Sequence, residues 1–374
     1  MQKYLLVFTI VFCFISCKKN TFNTNLLLGD WEFSTPKTIY DKDADISTTY
    51  YRSDFRFEKD SIFKLNDGFF QRIKDNKDSQ YKYMGQESKY YLDHDSLYIL
   101  NPVTNKYFAQ KISYLSKDTL AIYDKKEKII FYYKKKKFEK PTQIALSQIT
   151  LSLEPCFGTC PASSISIDSE GNVIYFGESN TPNIGLFKGK IDKKIFEEIV
   201  LELNKIHFTV LKNTYSVGSV TDLSGLSVSF IKDHKIFKTI YSYGNAEPRN
   251  LKGILNKIIY AYQKANLEKI SYDYPIASPT FSPKFLLNDS ESFYLQTLLL
   301  RSPKTDSKFI AKYHQKSSLI LPDNFDYERY EQMQRRIETN GRYFRMENKN
   351  HHFSTFDIGF DFFKANEIFS KNSN

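Results

Sequence analysis

The sequence predicts a mixed fold: an amino-terminal antiparallel β-barrel, then an α+β domain of ββαββα order, then a small α+β carboxy-terminal segment. Three observations carry that expectation. A short pattern of aspartate, hydroxyl residue and alternating apolar positions recurs three times in the first third of the chain. Two helical stripes are interleaved with alternating strands over residues 149–266. Beyond residue 272, prolines and aromatic stretches mix with no dominant period.

The first residues read as an export signal rather than as part of a fold. One positive charge, Lys3, precedes an apolar run from Leu5 to Ile15 broken only by Thr9. Such a run is too short to cross a bilayer but has the length of a signal-peptide core. It closes on Phe14-Ile15-Ser16-Cys17, which resembles the lipobox of bacterial lipoprotein precursors. The resemblance implies removal of residues 1–16, lipidation of Cys17, and a tether over residues 17–25, which are polar from Lys18 onward. Each buried methylene of an acyl chain adds about 0.8 kcal/mol, so several chains on one cysteine anchor firmly. The expected address is the cell envelope, lipid-anchored at the outer membrane and facing the periplasm or the exterior, with membrane lipid as the first partner.

Composition bounds the rest. The 374-residue chain is too long for one ordinary core, and no later stretch approaches 18 apolar residues. Its 27 Tyr and 32 Phe suit β-rich cores. The net charge of +10 is compatible with anionic lipid headgroups or polyanionic glycans, but solvated surface lysines are the preferred reading. Nucleic acid is not expected as a partner of an exported protein. The run Lys134 to Lys137 reads as a strand leaving into solvent.

Residues 26–140 form the first predicted domain. Lys59 to Leu65, His94 to Leu100 and Lys117 to Tyr123 each place a turn-forming aspartate and hydroxyl before alternating apolar residues, as a hairpin entering a half-buried strand requires. Further strands are expected at Tyr50 to Glu58, Tyr107 to Leu115 and Lys128 to Lys134. A meander of about eight short strands without a covering helix closes on itself. Leu28-Gly29-Asp30-Trp31 and the basic ending Tyr132-Tyr133-Lys134 resemble the lipocalin-like domains of Bacteroidota-type lipoproteins. Trp31 is expected to plug one barrel end beneath a lysine of the last strand.

Residues 149–266 form the second. Strands are expected at Ile149 to Leu153, Ser163 to Asp168 and, after the turn Glu170-Gly171-Asn172, Val173 to Phe176. Asp192 caps a helix striped by Ile195, Phe196, Ile199, Val200 and Leu203. Two strands turning at Asp233-His234 lead to Pro248 and a second stripe, Leu251 to Tyr262. The motif Cys156-Phe157-Gly158-Thr159-Cys160-Pro161, with Tyr215 to Asp222 and Tyr243-Gly244, resembles an uncharacterised family of bacterial domains recognised by Cys-Phe-Gly-x-Cys-Pro. That family implies no activity.

The cysteines carry two readings. In an oxidising envelope Cys156 and Cys160 close a small disulfide loop, worth about 2 kcal/mol on the chain-entropy model. The alternative is an extracytoplasmic metal-binding or thiol-redox protein. The spacing also occurs in Sco-type copper chaperones, and His207 or His234 supplies a third ligand. Other candidates are weaker. His351-His352 reads as an exposed polar pair, Asp41, Asp43 and Asp45 as an incomplete calcium loop, and Tyr215 with Asp222 as a polar pair near a cleft. No nucleophile elbow, zincin, phosphate-loop or dinucleotide motif occurs, so no catalytic residue and no cofactor is assigned.

Residues 272–374 are expected to hold a helix or strand at Ser292 to Arg301, a helix at Asp326 to Glu338, a turn at Asn340-Gly341 and an aromatic strand or short helix at Phe353 to Phe363. The preferred function is a non-enzymatic envelope lipoprotein that binds an unknown small ligand, a glycan or an envelope protein.

Overall fold

The computed structural model describes residues 22–34, 52–73, 80–275, 280–282, 285–318 and 334–367. The signal segment, Cys17 and Asp41, Asp43 and Asp45 lie outside the described residues. Among the described residues no helix is long and apolar enough to cross a membrane.

The chain groups into two compact units. The first uses residues before Ser53, then Arg56–Phe63 and Ser88–Lys136; the second uses Ser53–Phe55, Lys64–Glu87 and everything from Lys137. Among the described residues, ten strands precede residue 136: β1 (Gly29–Ser34), β2 (Phe55–Phe57), β3 (Ile62–Leu65), β4 (Phe70–Ile73), β5 (Gln80–Tyr83), β6 (Glu87–Asp93), β7 (Ser96–Asn101), β8 (Lys106–Leu115), β9 (Thr119–Asp124) and β10 (Ile129–Lys135). Eight of them close a barrel in the order β1-β10-β9-β8-β7-β6-β3-β2.

Each repeated Asp-hydroxyl pattern opens a barrel hairpin: β2–β3, β6–β7 and β8–β9. Asp60, Ser61 and His94 take positive φ there, the backbone that tight turns demand. Alternate residues fill the interior with rings. Phe33 lies 6.0 Å from Phe131 and 5.6 Å from Tyr133, and Phe57 meets Phe63 and Tyr90. Trp31 is 1% exposed and its indole donates to the Leu27 carbonyl. Lys135, on the last strand, holds its ammonium 4.8 Å from the Trp31 ring centre and donates to the Leu26 carbonyl. Burial lowers the Lys135 pKa, and Asp118 partly opposes that.

β4 and β5 form a separate hairpin that belongs to the second unit. It packs on helix α2 (Arg249–Ile259) of that unit. Asn66 donates to the Arg249 carbonyl at 2.7 Å, Gln86 to the Gly253 carbonyl at 3.0 Å, and Asn256 to the Asp67 carbonyl at 3.0 Å. A Cβ at Gly253 would stand 2.4 Å from the Asn66 carbonyl oxygen, so only glycine permits this approach. Tyr83 stacks on Tyr260 at 5.3 Å with Phe70 edge-on at 5.5 Å.

The second unit is centred on an eight-stranded sheet. Its strands are β11 (Gln148–Leu153), β12 (Ala162–Asp168), β13 (Asn172–Ser179), β14 (Gly185–Lys190), β15 (Thr214–Ser216), β16 (Gly225–Lys232), β17 (Lys235–Tyr243) and β18 (Glu268–Lys269). They lie in the order β15-β17-β16-β11-β12-β13-β14-β18. Helix α1 (Lys193–Lys205) and α2 pack their apolar stripes on one face. Asp192 caps α1 by accepting from the Lys194 amide, as its position implies. The order is richer than ββαββα. β14 and β15 are added, and Gly185 and Gly189 explain why β14 is faint in the sequence, since glycine weakens a strand signal.

The carboxy-terminal residues complete this unit. Helix α3 (Asp289–Arg301) lies on the opposite face of the eight-stranded sheet, against β11, β12 and β16. A five-stranded sheet follows in the order β21-β25-β24-β23-β22, built from β21 (Lys304–Thr305), β22 (Tyr313–Ser318), β23 (Gln334–Thr339), β24 (Tyr343–Glu347) and β25 (Phe353–Asp357), after the small pair β19 (Thr280–Ser282) and β20 (Phe285–Leu286). Its core joins Ile337, Phe344, Met346, Phe356, Phe362 and Phe363 to Ile231 of the larger sheet. The helix expected at Asp326 to Glu338 is corrected over 334–338, which is strand; residues 326–333 lie outside the described residues. Arg335, Ile337 and Thr339 are buried while Arg336 is exposed and Glu338 half-buried, a period of two that the charges hide. Pairing with β22 and β24 overrides the helical propensity.

Candidate functional site

The strand registers bring the motifs of the second unit to one end of its large sheet. Leu153 pairs with Ser163 and with Leu226, Ala162 with Ser179, and Tyr243 with both Gly225 and Ser216. The β11–β12 connection, the β13–β14 turn, the β15–β16 loop and the chain entering α2 therefore share that end.

The β11–β12 connection carries the cysteines. Cys156 and Cys160 are joined as a disulfide with Cα atoms 5.5 Å apart. Asn180, in the β13–β14 turn, donates to the Cys160 carbonyl at 3.1 Å. The Gly158 amide donates to the Cys156 carbonyl at 2.8 Å. Phe157 stands at the tip of this stapled loop with 89% of its surface exposed. Ile310 and Val210 are exposed to a similar degree, at 88% and 80%, but neither sits on a disulfide-closed loop. Val217 and Val220, on the neighbouring β15–β16 loop, are 44% and 53% exposed.

Beneath the loop lies an acidic, hydroxyl-rich layer. Glu154 accepts from the Tyr241 hydroxyl at 3.2 Å, and Ser224 donates to the Glu154 carbonyl at 2.8 Å. A Cβ at Gly225 would come 2.0 Å from the Glu154 carboxylate, so glycine makes room for it. Burial pushes the Glu154 carboxyl up, the Asp289 charge pushes it further, and the Tyr241 bond opposes both. Burial also raises Asp289. Tyr241 is pushed up to about 12 by burial and by Glu154. Burial and the proximity of the carboxyls thus disfavour the charged forms of Glu154 and Asp289.

The predicted residues fall as follows. No group of three or more His, Cys, Asp or Glu able to hold a metal occurs among the described residues. His234 sits in the β16–β17 turn, where Ile231 pairs with Gln148, at the opposite end of the strands from the disulfide. His207 follows α1 in the left-handed conformation. The strand register therefore keeps His234 away from the cysteine pair. Tyr215 and Asp222 are not a pair: the Tyr215 hydroxyl accepts from the Lys212 amide, while Asp222 accepts from Thr221. His351 and His352 belong to the β24–β25 turn, and His351 lies 2.9 Å from Glu347. Glu154, Tyr241 and Asp289 were not marked by any motif. The one available signal was the polar alternation Gln148, Thr150, Ser152, Glu154 along β11.

Residues 147–262 match the family described as a domain of unknown function, DUF6438. The match spans β11 through α2, including the disulfide loop and Tyr241, and it stops short of α3. Neither a curated protein nor a solved structure matches the chain.

Proposed function

We propose that this is a lipid-anchored protein of the bacterial cell envelope that acts by binding a partner protein rather than by catalysis. The observation that carries the reading is Phe157, an almost fully exposed aromatic ring on a loop restrained by the Cys156–Cys160 disulfide. A restrained loop loses little conformational entropy when it docks, so a single ring there contributes more to affinity than one on a floppy loop. Val217 and Val220 extend the apolar surface beside it. The lipobox at Cys17 supports the address. The eight-stranded barrel that opens on Gly29-Asp30-Trp31, with Lys135 over the indole, supports kinship with lipocalin-like lipoprotein domains.

The test is cross-linking of the full-length protein in its native membranes, followed by quantitative mass spectrometry. Phe157→Ser should lose the cross-linked partner at least tenfold while staying folded and membrane-bound. Cys17→Ala should move the chain out of the membrane fraction. An unchanged cross-link profile in Phe157→Ser would remove the loop from the recognition surface, and membrane retention of Cys17→Ala would end the lipid-anchor reading.

A further inference from the structure

The carboxy-terminal sheet carries a cleft of about 610 Å³, within the size range of small-molecule sites. It is lined by residues 304–309, Arg345 and residues 353–355. Its chemistry is mixed in an unusual way. Two aromatic rings, Phe309 and Phe353, stand on either side of Arg345, whose guanidinium lies 5.9 Å and 5.8 Å from their centres. Arg345 is held in turn by Glu338, to which its Nε donates at 2.7 Å. Phe309 is backed by Tyr343, stacked at 5.8 Å, and Phe353 by Arg336 at 4.8 Å. The rings are thus fixed in place rather than loose on the surface.

The charge balance is favourable to an anion. Glu338 matches Arg345, but among the described residues neither Lys304 nor Lys308 has a carboxylate partner, and Asp306 offsets only one of them. Thr305, Ser307 and Ser354 add hydroxyls; Thr305 and Ser307 bond each other at 2.9 Å, and Ser354 accepts from Tyr274 at 2.9 Å.

We propose that this cleft binds an acidic saccharide, an oligosaccharide whose rings carry carboxylates. Phe309 and Phe353, which line the cleft, give it apolar surface suited to the C–H groups of a sugar ring. The ammonium groups of Lys308 and of Lys304, the latter 5.4 Å from the Tyr274 ring centre, suit its carboxylates, and the hydroxyls suit its own hydroxyls. A bare anion would use the lysines and leave the aromatic walls idle; a neutral sugar would do the reverse. The proposal goes beyond the partner-binding role above and uses different residues from the Phe157 loop.

The experiment is calorimetric titration of the full mature chain with tetragalacturonate, cellotetraose and inorganic phosphate. Tetragalacturonate should bind saturably and weaken as salt rises. Lys304→Gln with Lys308→Gln should weaken it at least tenfold, and Phe353→Ser should do so separately, with thermal melting showing each variant folded. Absence of saturable binding overturns the proposal. So does equal binding of cellotetraose, which would remove the charge, or displacement by equimolar phosphate, which would remove the sugar. Phe157→Ser should keep full saccharide affinity. Lost saccharide binding with an intact Phe157-dependent cross-link therefore defeats the cleft alone, and the converse defeats the loop alone.

Discussion

The two faces of the eight-stranded sheet are built by alternate residues of the same strands, yet they differ in nearly every property. On β11, β12 and β16 one face is Ile149, Leu151, Ile165, Ile167, Val228 and Phe230, packed under α1 and α2. The other is Gln148, Thr150, Ser152, Ser166, Ser227 and Ser229, and it is buried just as deeply, with Thr150, Ser166, Ser227 and Ser229 at 0% exposed. The first face is held by non-directional burial. The second is held by specific bonds: Gln148 donates to Ser166 at 2.7 Å and to Thr297 at 3.0 Å, Ser229 shares bonds with Thr239 and Ser290, and Thr239 donates to Glu291 at 2.7 Å. Apolar burial supplies most of the stability, whereas buried hydrogen bonds contribute only about 1 kcal/mol net each but tolerate one partner in one place. The polar face therefore selects where α3 sits more than how strongly it holds.

That contrast can be broken most severely on the apolar side. Phe230 is fully buried and lies 4.8 Å from Phe208. Phe230→Ala should cost about 3–5 kcal/mol, read as a lowered denaturant midpoint with the slope unchanged. A loss under about 1 kcal/mol would mean that this face does not carry the fold.

The polar face should respond differently. Ser229→Ala strips a bond from both Thr239 and Ser290, at a cost of about 1–3 kcal/mol. Ser290→Ala should cost a similar amount, and the double variant should cost less than the two added, because the second change removes a group already left unpaired. Amide exchange in α3 should rise before exchange in α1. Strict additivity would mean that the layer acts as packing rather than as a network.

The smallest effect concerns pH. Glu154 has a higher pKa folded than unfolded, through burial and the Asp289 charge. The folded state then holds a proton that the unfolded chain has released, so stability is greatest below the ordinary carboxylate range and falls as pH rises through the raised value. Glu154→Gln should flatten that fall. At neutral pH it should gain roughly half a kcal/mol or less, once solvent screening of this half-exposed group is allowed for. An unaltered pH profile in the variant would place the unfavourable charge elsewhere in the layer.

Legibility in the sequence follows the range of the interaction. The hairpins with Asp60, His94 and Asp118, the Asp192 cap, and the stripes of α1 and α2 are local, and each was readable from residues a few positions apart. The β4–β5 hairpin was not, because its place depends on Asn66, Gln86 and Gly253 meeting across nearly 190 residues. Strand β23 was misread for the same reason, since its partners and not its composition decide its form. In the candidate site, the cysteine pair was visible, while Glu154, Tyr241 and Asp289 converge only when α3 covers the sheet.

The sequence by itself determined the barrel hairpins, the two amphipathic helices and the position of the cysteine loop, because turn chemistry and side-chain period act between near neighbours. Only the tertiary structure decided that the hydroxyl face of β11, β12 and β16 is interior. Alternating serines look the same whether they meet water or a helix; α3, 61 residues beyond Ser229 at its Ser290 contact and 149 beyond Gln148 at its Thr297 contact, supplies the partners that make them core.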